Sequence, residues 1–208
     1  MNQLVTELNH PDRVIRGRAA ISLGSDVGAL PVLLQALRTE TDVFVREDIT
    51  WSLARMGDLA LLPLLHLLFD RNAATRLQAA HTLGKIGDAR AVSALASALQ
   101  DSDRAVVMKA AFALGQIGDA RAVPALIRLL SSEDDEIQAA AVEALVSFGS
   151  AAVTALAEVL EDTRWEARLA AVSVLGEIGG ARAKQAAAGL RDDPDAQVRA
   201  VAARIAGG

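Results

Sequence analysis

The chain has 208 residues and is 52% hydrophobic but only 3% aromatic, so its core has to be assembled from Ala, Leu, Val and Ile, a composition that suits closely layered helices. The formal net charge of −5 weighs against a nucleic-acid partner, because phosphate binding ordinarily needs a basic surface. With no cysteine, disulfides and thiolate-held metals are excluded, while the compartment stays open on that ground.

The stretch Met1–Leu8 has neither a basic start nor an apolar run of signal-peptide length, and a short first helix is predicted over about Asn2–Asn9. The longest apolar run, Leu59–Phe69, is about half of what a membrane span needs and contains Pro63 and His66. It reads as a buried helix. A cytoplasmic protein with no membrane partner and no cofactor is the expectation.

Leu83-Gly84-Lys85-Ile86-Gly87-Asp88-Ala89-Arg90-Ala91-Val92 returns nearly intact as Leu114-Gly115-Gln116-Ile117-Gly118-Asp119-Ala120-Arg121-Ala122-Val123. Weaker copies place marker leucines at Leu23, Leu53, Leu145 and Leu175 as well. A fixed period of this size means stacked copies of one small element, here a single solenoid over residues 1–208.

Each repeat reads as two helices. In the clearest, Asp88 caps helix A over about Ala89–Gln100 and Asp103 caps helix B over about Arg104–Ile117, each carboxylate accepting first-turn backbone N–H groups. The B cap recurs at Asp12, Asp42, Asn72, Asp134 and Asp195, with Thr163 expected in the sixth repeat; seven B helices follow. Gly57, Gly87, Gly118, Gly149 and Gly179 are expected to end B helices with positive φ. Pro31, Pro63 and Pro124 share one position in helix A and should bend it or make it start late.

On a helical wheel, B positions −8, −4, −3 and +3 from the marker leucine join it in a core stripe: Val106, Ala110, Ala111, Leu114 and Ile117. Position −7 falls on the same side and holds Arg16, Arg46, Arg76, Arg168 and Arg199. An inward arginine needs a carboxylate. The expected partners are the cap residues Asp12, Asp42, Asp103 and Asp195, in the same repeat or its neighbour, giving a structural ladder. It lapses at Val107 and Gln138, where packing by apolar contact alone is expected.

The pattern of Asp before Val-Arg (Asp42 with Val45-Arg46, Asp195 with Val198-Arg199), then the run from Ala113 to Leu126, resembles HEAT repeats, most closely the short HEAT-like repeats of phycobilin lyases. The resemblance implies a right-handed α-solenoid of about seven helix pairs whose B helices line a concave face. It also implies scaffolding and protein binding in most members, chromophore attachment in some, and di-iron hydroxylation or DNA-base excision in a few. The hydroxylases use His-Glu pairs; here His10, His66 and His81 are followed by Pro11, Leu67 and Thr82. The glycosylases use a basic cleft, which an acidic chain fits poorly. No catalytic constellation stands out, and no residue is assigned a catalytic or metal-binding role.

Positions −9, −6 and −2 of helix B face outward on the wheel. In the second to fourth repeats they carry Phe44, Trp51, Leu77, His81, Met108 and Phe112, with Arg55 and Lys85 at the rim. With helices about 8–10 Å apart, Trp51 and Phe112 should lie roughly 20 Å apart with His81 between them. The leading reading is a protein- or peptide-binding groove on these residues; packing against the neighbouring B helix is the competing one. A tetrapyrrole-handling groove of the bilin-lyase kind is the functional alternative. Trp165 is expected to pack on its A–B turn. Ile205-Ala206-Gly207-Gly208 offers no polar closing helix, which leaves room for self-association through the last repeat.

Overall fold

A computed structural model of the chain describes residues 2–207. Among them the regular structure is helical, in fourteen α-helices that alternate between two layers. The A layer is α1 (Asn2–Glu7), α3 (Leu30–Thr39), α5 (Asp58–Leu67), α7 (Val92–Ala98), α9 (Val123–Leu129), α11 (Ser150–Val159) and α13 (Gly180–Ala188). The B layer is α2 (Arg13–Leu23), α4 (Val43–Met56), α6 (Ala73–Ile86), α8 (Arg104–Ile117), α10 (Asp135–Ser147), α12 (Trp165–Ile178) and α14 (Ala196–Gly207). The result is an all-α solenoid of seven helix pairs. Contacts divide it into an N-terminal unit, Met1–Ala113, and a C-terminal unit, Leu114–Gly208. In the first, α2 packs on α4 and α4 on α6; in the second, α10 packs on α12 and α12 on α14.

The caps explain why each B helix starts where it does. Asp42 Oδ1 accepts from the Phe44 and Val45 N–H groups at 2.9 and 3.2 Å, and Asp12, Asn72, Asp103, Asp134 and Asp195 repeat the bond. The sixth repeat departs from the expectation. Its cap position is Arg164, with no side-chain cap bond, and Thr163 lies one residue too early. The five expected glycines all have positive φ. The Asp-Ala-Arg copies then build a 3-10 turn: Asp88 and Asp119 cap Ala89–Ala91 and Ala120–Ala122, so the A helix proper starts late. Pro31 and Pro124 sit in the first turn of their late-starting helices, whereas Pro63 lies inside α5. Arg90 also pairs with Asp88, pulling that carboxyl down to about 2, and bridges to Asp58 of the preceding repeat.

The core stripe is as the wheel places it. Val106, Ala110, Ala111 and Leu114 are fully buried, and only Ile117, at the helix end, is half-exposed. Position −1 is buried too, at Ser52, Thr82, Ala113, Ala144 and Val174, and within each unit neighbouring B helices pack on one another. The glycine after the marker leucine serves that approach. A Cβ on Gly24 would lie 2.7 Å from Ser52 Cβ and 3.0 Å from its Cα. Helix propensity favours Ala by up to about 1 kcal/mol, while overpacking costs about 1–3 kcal/mol. Gly24→Ala is therefore expected to destabilise the chain in urea or thermal unfolding.

The arginine ladder exists, but with other partners. Arg16, Arg76 and Arg168 make two-pronged pairs with Glu40, Asp101 and Asp193, two residues before the cap of the next repeat. Nη1 of each donates to two carbonyls of its own A–B turn, as Arg76 does to Asp70 and Arg71. Asp12, Asp42, Asp103 and Asp195 are occupied as caps, and a guanidinium at −7 is long enough to reach past them. The paired carboxylate also accepts the N–H of the following cap residue, as Asp193 does from Asp195 at 2.8 Å. Arg199 keeps only the two carbonyl bonds, to Asp193 and Pro194. Arg46 is the exception. Its Nε is buried without a hydrogen-bond partner, and Asp70, in the position of Glu40 and Asp101, pairs with Arg38 at 3.1 Å. At the lapses, Val107 is buried as expected, but Gln138 is not purely apolar in its contacts, since its Nε2 donates to the Leu130 carbonyl at 3.0 Å.

Candidate docking face on the B helices

All eight residues singled out on the B helices fall in the N-terminal unit. Phe44, Trp51 and Phe112 are 64%, 50% and 46% exposed, and Arg55 is exposed as well. Leu77, Met108, Lys85 and His81 are half-buried and form the ground between them. The rings stand out because positions −9 and −2 look away from the A layer, while Val45, Ile49, Leu53, Leu83, Val106 and Leu114 at −8, −4 and 0 are sealed.

Each exposed ring carries a cation. Arg13 lies 5.0 Å from the centroid of Phe44, Lys85 4.3 Å from Trp51 and Lys109 5.3 Å from Phe112. Lys85 is thus more than a rim charge: it caps an indole and sits 3.5 Å from Glu47 Oε1. His81 turns toward α4, with Nε2 2.9 Å from Glu47 Oε2 and Nδ1 buried without a partner. It is a packed bridge between two B helices, with only 16% of its side chain exposed. Burial acts to raise the Glu47 carboxyl, but the hydrogen bond from His81 and the charges of His81 and Lys85 outweigh it and hold the group below its usual value. The neighbouring Asp48 is raised, by burial and by the charges of Glu47 and Asp42.

Between α2 and α4 a hollow of about 310 Å³ is lined by Val14, Gly17, Ile21 and Phe44 on its apolar side and by Arg13, Arg18 and Asp48. The missing side chain of Gly17 makes room for the Asp48 carboxylate, which lies where a Cβ would stand. Trp165, expected to pack on a turn, is 37% exposed and lines a wider groove with Gln138, Arg164 and Ser173 in the C-terminal unit. The run Leu59–Phe69, read as buried, is buried on one side only: Leu59, Leu62, His66 and Phe69 are exposed.

No group of three or more His, Cys, Asp or Glu among the described residues is placed to hold a metal ion. No described helix is long and apolar enough to cross a membrane.

A comparison with curated proteins finds no match. Among solved structures, the chain is similar to the CpcE–CpcF complex of phycocyanin lyase from Nostoc sp. PCC7120, at 22% identity over 99% of this chain and 93% of that one, with a TM-score of 0.51. It is also similar to human deoxyhypusine hydroxylase (19% identity, 99% and 94% covered, TM-score 0.44). A designed armadillo repeat protein is similar at 22% identity, with 98% and 97% covered and a TM-score of 0.43. At these identities the likenesses speak to the fold alone. The model for HEAT repeats matches residues 1–70, 61–146 and 125–206, and with that coverage the chain belongs to the HEAT-repeat family.

Proposed function

We propose that the chain is a non-enzymatic binding scaffold that holds a protein or peptide segment on the B-helix face of its N-terminal unit, with Phe44, Trp51 and Phe112 as anchors. The carrying observation is that three of the chain's six aromatic side chains are displayed on that one face, in a protein whose core is otherwise almost wholly aliphatic. Leu77 and Met108 supply compliant apolar surface between them, Met in particular adapting to different partners. Affinity capture with the wild-type chain and with the Trp51→Ala/Phe112→Ala variant tests the reading. Loss of capture by a folded variant supports it, and equal capture by both overturns it.

A second reading, tetrapyrrole handling, is favoured by one feature of the same face. The Lys85 ammonium beside Trp51 and the exposed guanidinium of Arg55 would pair with the carboxylates of such a ligand at the edge of the face. Incubation with free bilins should shift a visible absorption band if this holds, and an unchanged spectrum would dispose of it.

A further inference from the structure

The outward charges of the B helices change sign between the N-terminal unit and α10 and α12 of the C-terminal unit, whose last B helix, α14, carries Arg199 and Arg204 and no acid. On the B helices of the N-terminal unit, positions −10, −5 and +2 supply Arg13, Arg18, Arg55, Lys85, Arg104 and Lys109, against only Glu47 and Asp48 at −6 and −5. On α10 and α12 of the C-terminal unit, the outward positions hold Asp135, Glu136, Glu143, Glu166 and Glu177 and no base. Both sets of helices bury the same packed stripe, so neither sign of outward charge is demanded by the core. A chain of net charge −5 has nevertheless gathered cations around its exposed rings.

From this we infer that the segment taken up by the N-terminal unit is an acidic peptide with apolar anchors, an inference that rests on the docking reading above. Arg18 and Arg55 are exposed and make no ion pair with a carboxylate among the described residues, which leaves them available to one on a partner. The hollow between α2 and α4 has Val14, Ile21 and Phe44 on its walls, the Asp48 carboxylate against Gly17 at its floor and Arg13 and Arg18 at its lip. It therefore fits an apolar side chain whose flanking Asp or Glu residues stay at the lip beside the two guanidinium groups. Trp51 and Phe112 extend that pattern along the face, each with an ammonium against its ring. A single-stranded nucleic acid would also meet cations and rings, but it needs open ring faces for base stacking. Here cations already lie over the rings.

The test is selection of a displayed random peptide library on the wild-type chain, followed by rebinding to two variants. Enriched peptides should be rich in Asp, Glu and apolar residues and bind about 10-fold or more weakly to Arg18→Glu/Arg55→Glu, a substitution at exposed positions that leaves the circular dichroism unchanged. Their affinity should also fall as salt rises, as exposed charge pairs require. Enriched peptides that are neutral or basic, yet lose binding to Trp51→Ala, would overturn the charge inference and leave the docking face standing. An absence of any peptide whose binding depends on Trp51 would overturn both. Tighter binding of a single-stranded oligothymidine than of the best acidic peptide would likewise overturn the inference.

Discussion

Replacing Asp193 with Ala is expected to lower the melting temperature of the chain by about 5–15 °C, the range that follows from stripping one partner from a buried ion pair in a chain of this length. Asp193 and Arg168 are both buried, joined by two bonds of 2.7 and 2.8 Å, and the carboxylate also holds the N–H of the cap residue Asp195. Removing it strands a guanidinium and loosens a helix start in the same stroke. Arg46→Met is the matched control. That arginine occupies the equivalent position but has an orphaned buried Nε, so an apolar replacement should leave melting unchanged or raise it. The acid branch of the stability curve checks the same device. The hydrogen bonds from Arg168 and Arg76 hold Asp193 and Asp101 below the ordinary carboxylate value in the folded chain. Their contribution is therefore present above about pH 4 and is lost as pH falls through the folded values. Melting should be flat from neutrality to about pH 5 and drop below about pH 4, with a shallower drop in Asp193→Ala.

The second large effect concerns binding. Trp51→Ala and Phe112→Ala are each expected to weaken capture of the partner by about 10- to 100-fold, as loss of an aromatic anchor does. The same changes should move the melting temperature by only a few degrees. Both rings are about half exposed, so the folded chain already forgoes much of the burial that would make them structural. Leu53 and Leu114, two residues further on, are fully buried and supply the contrast: truncation there should cost about 2–5 kcal/mol of stability.

The stacked architecture was legible because its signals are local: the spacing of leucines, an Asp or Asn before six of the seven B helices, and a glycine after most of them. The ladder was legible only in part. Inward arginines at −7 announced a buried charge, but a side chain of that length spans more than a wheel can show, and it passes the cap to reach Glu40, Asp101 or Asp193. The run Leu59–Phe69 misled for a different reason. A helix apolar on every side has no preferred face in sequence, and α5 hides Ala60, Leu61, Leu64 and Leu67 while showing Leu59 and Leu62. His81 was placed on the right row yet turns sideways to Glu47, since an imidazole that finds a carboxylate at 2.9 Å has little reason to face solvent. The hollow between α2 and α4 depends on how two neighbouring helices approach, which no single helical wheel shows.

The emission of Trp51, isolated in a Trp165→Phe background, tests the docking face most directly. On titration with a peptide selected by the wild-type chain, the account predicts a blue shift and reduced quenching by acrylamide, as the exposed indole is covered. Saturable binding with Trp51 emission and quenching unchanged would contradict it.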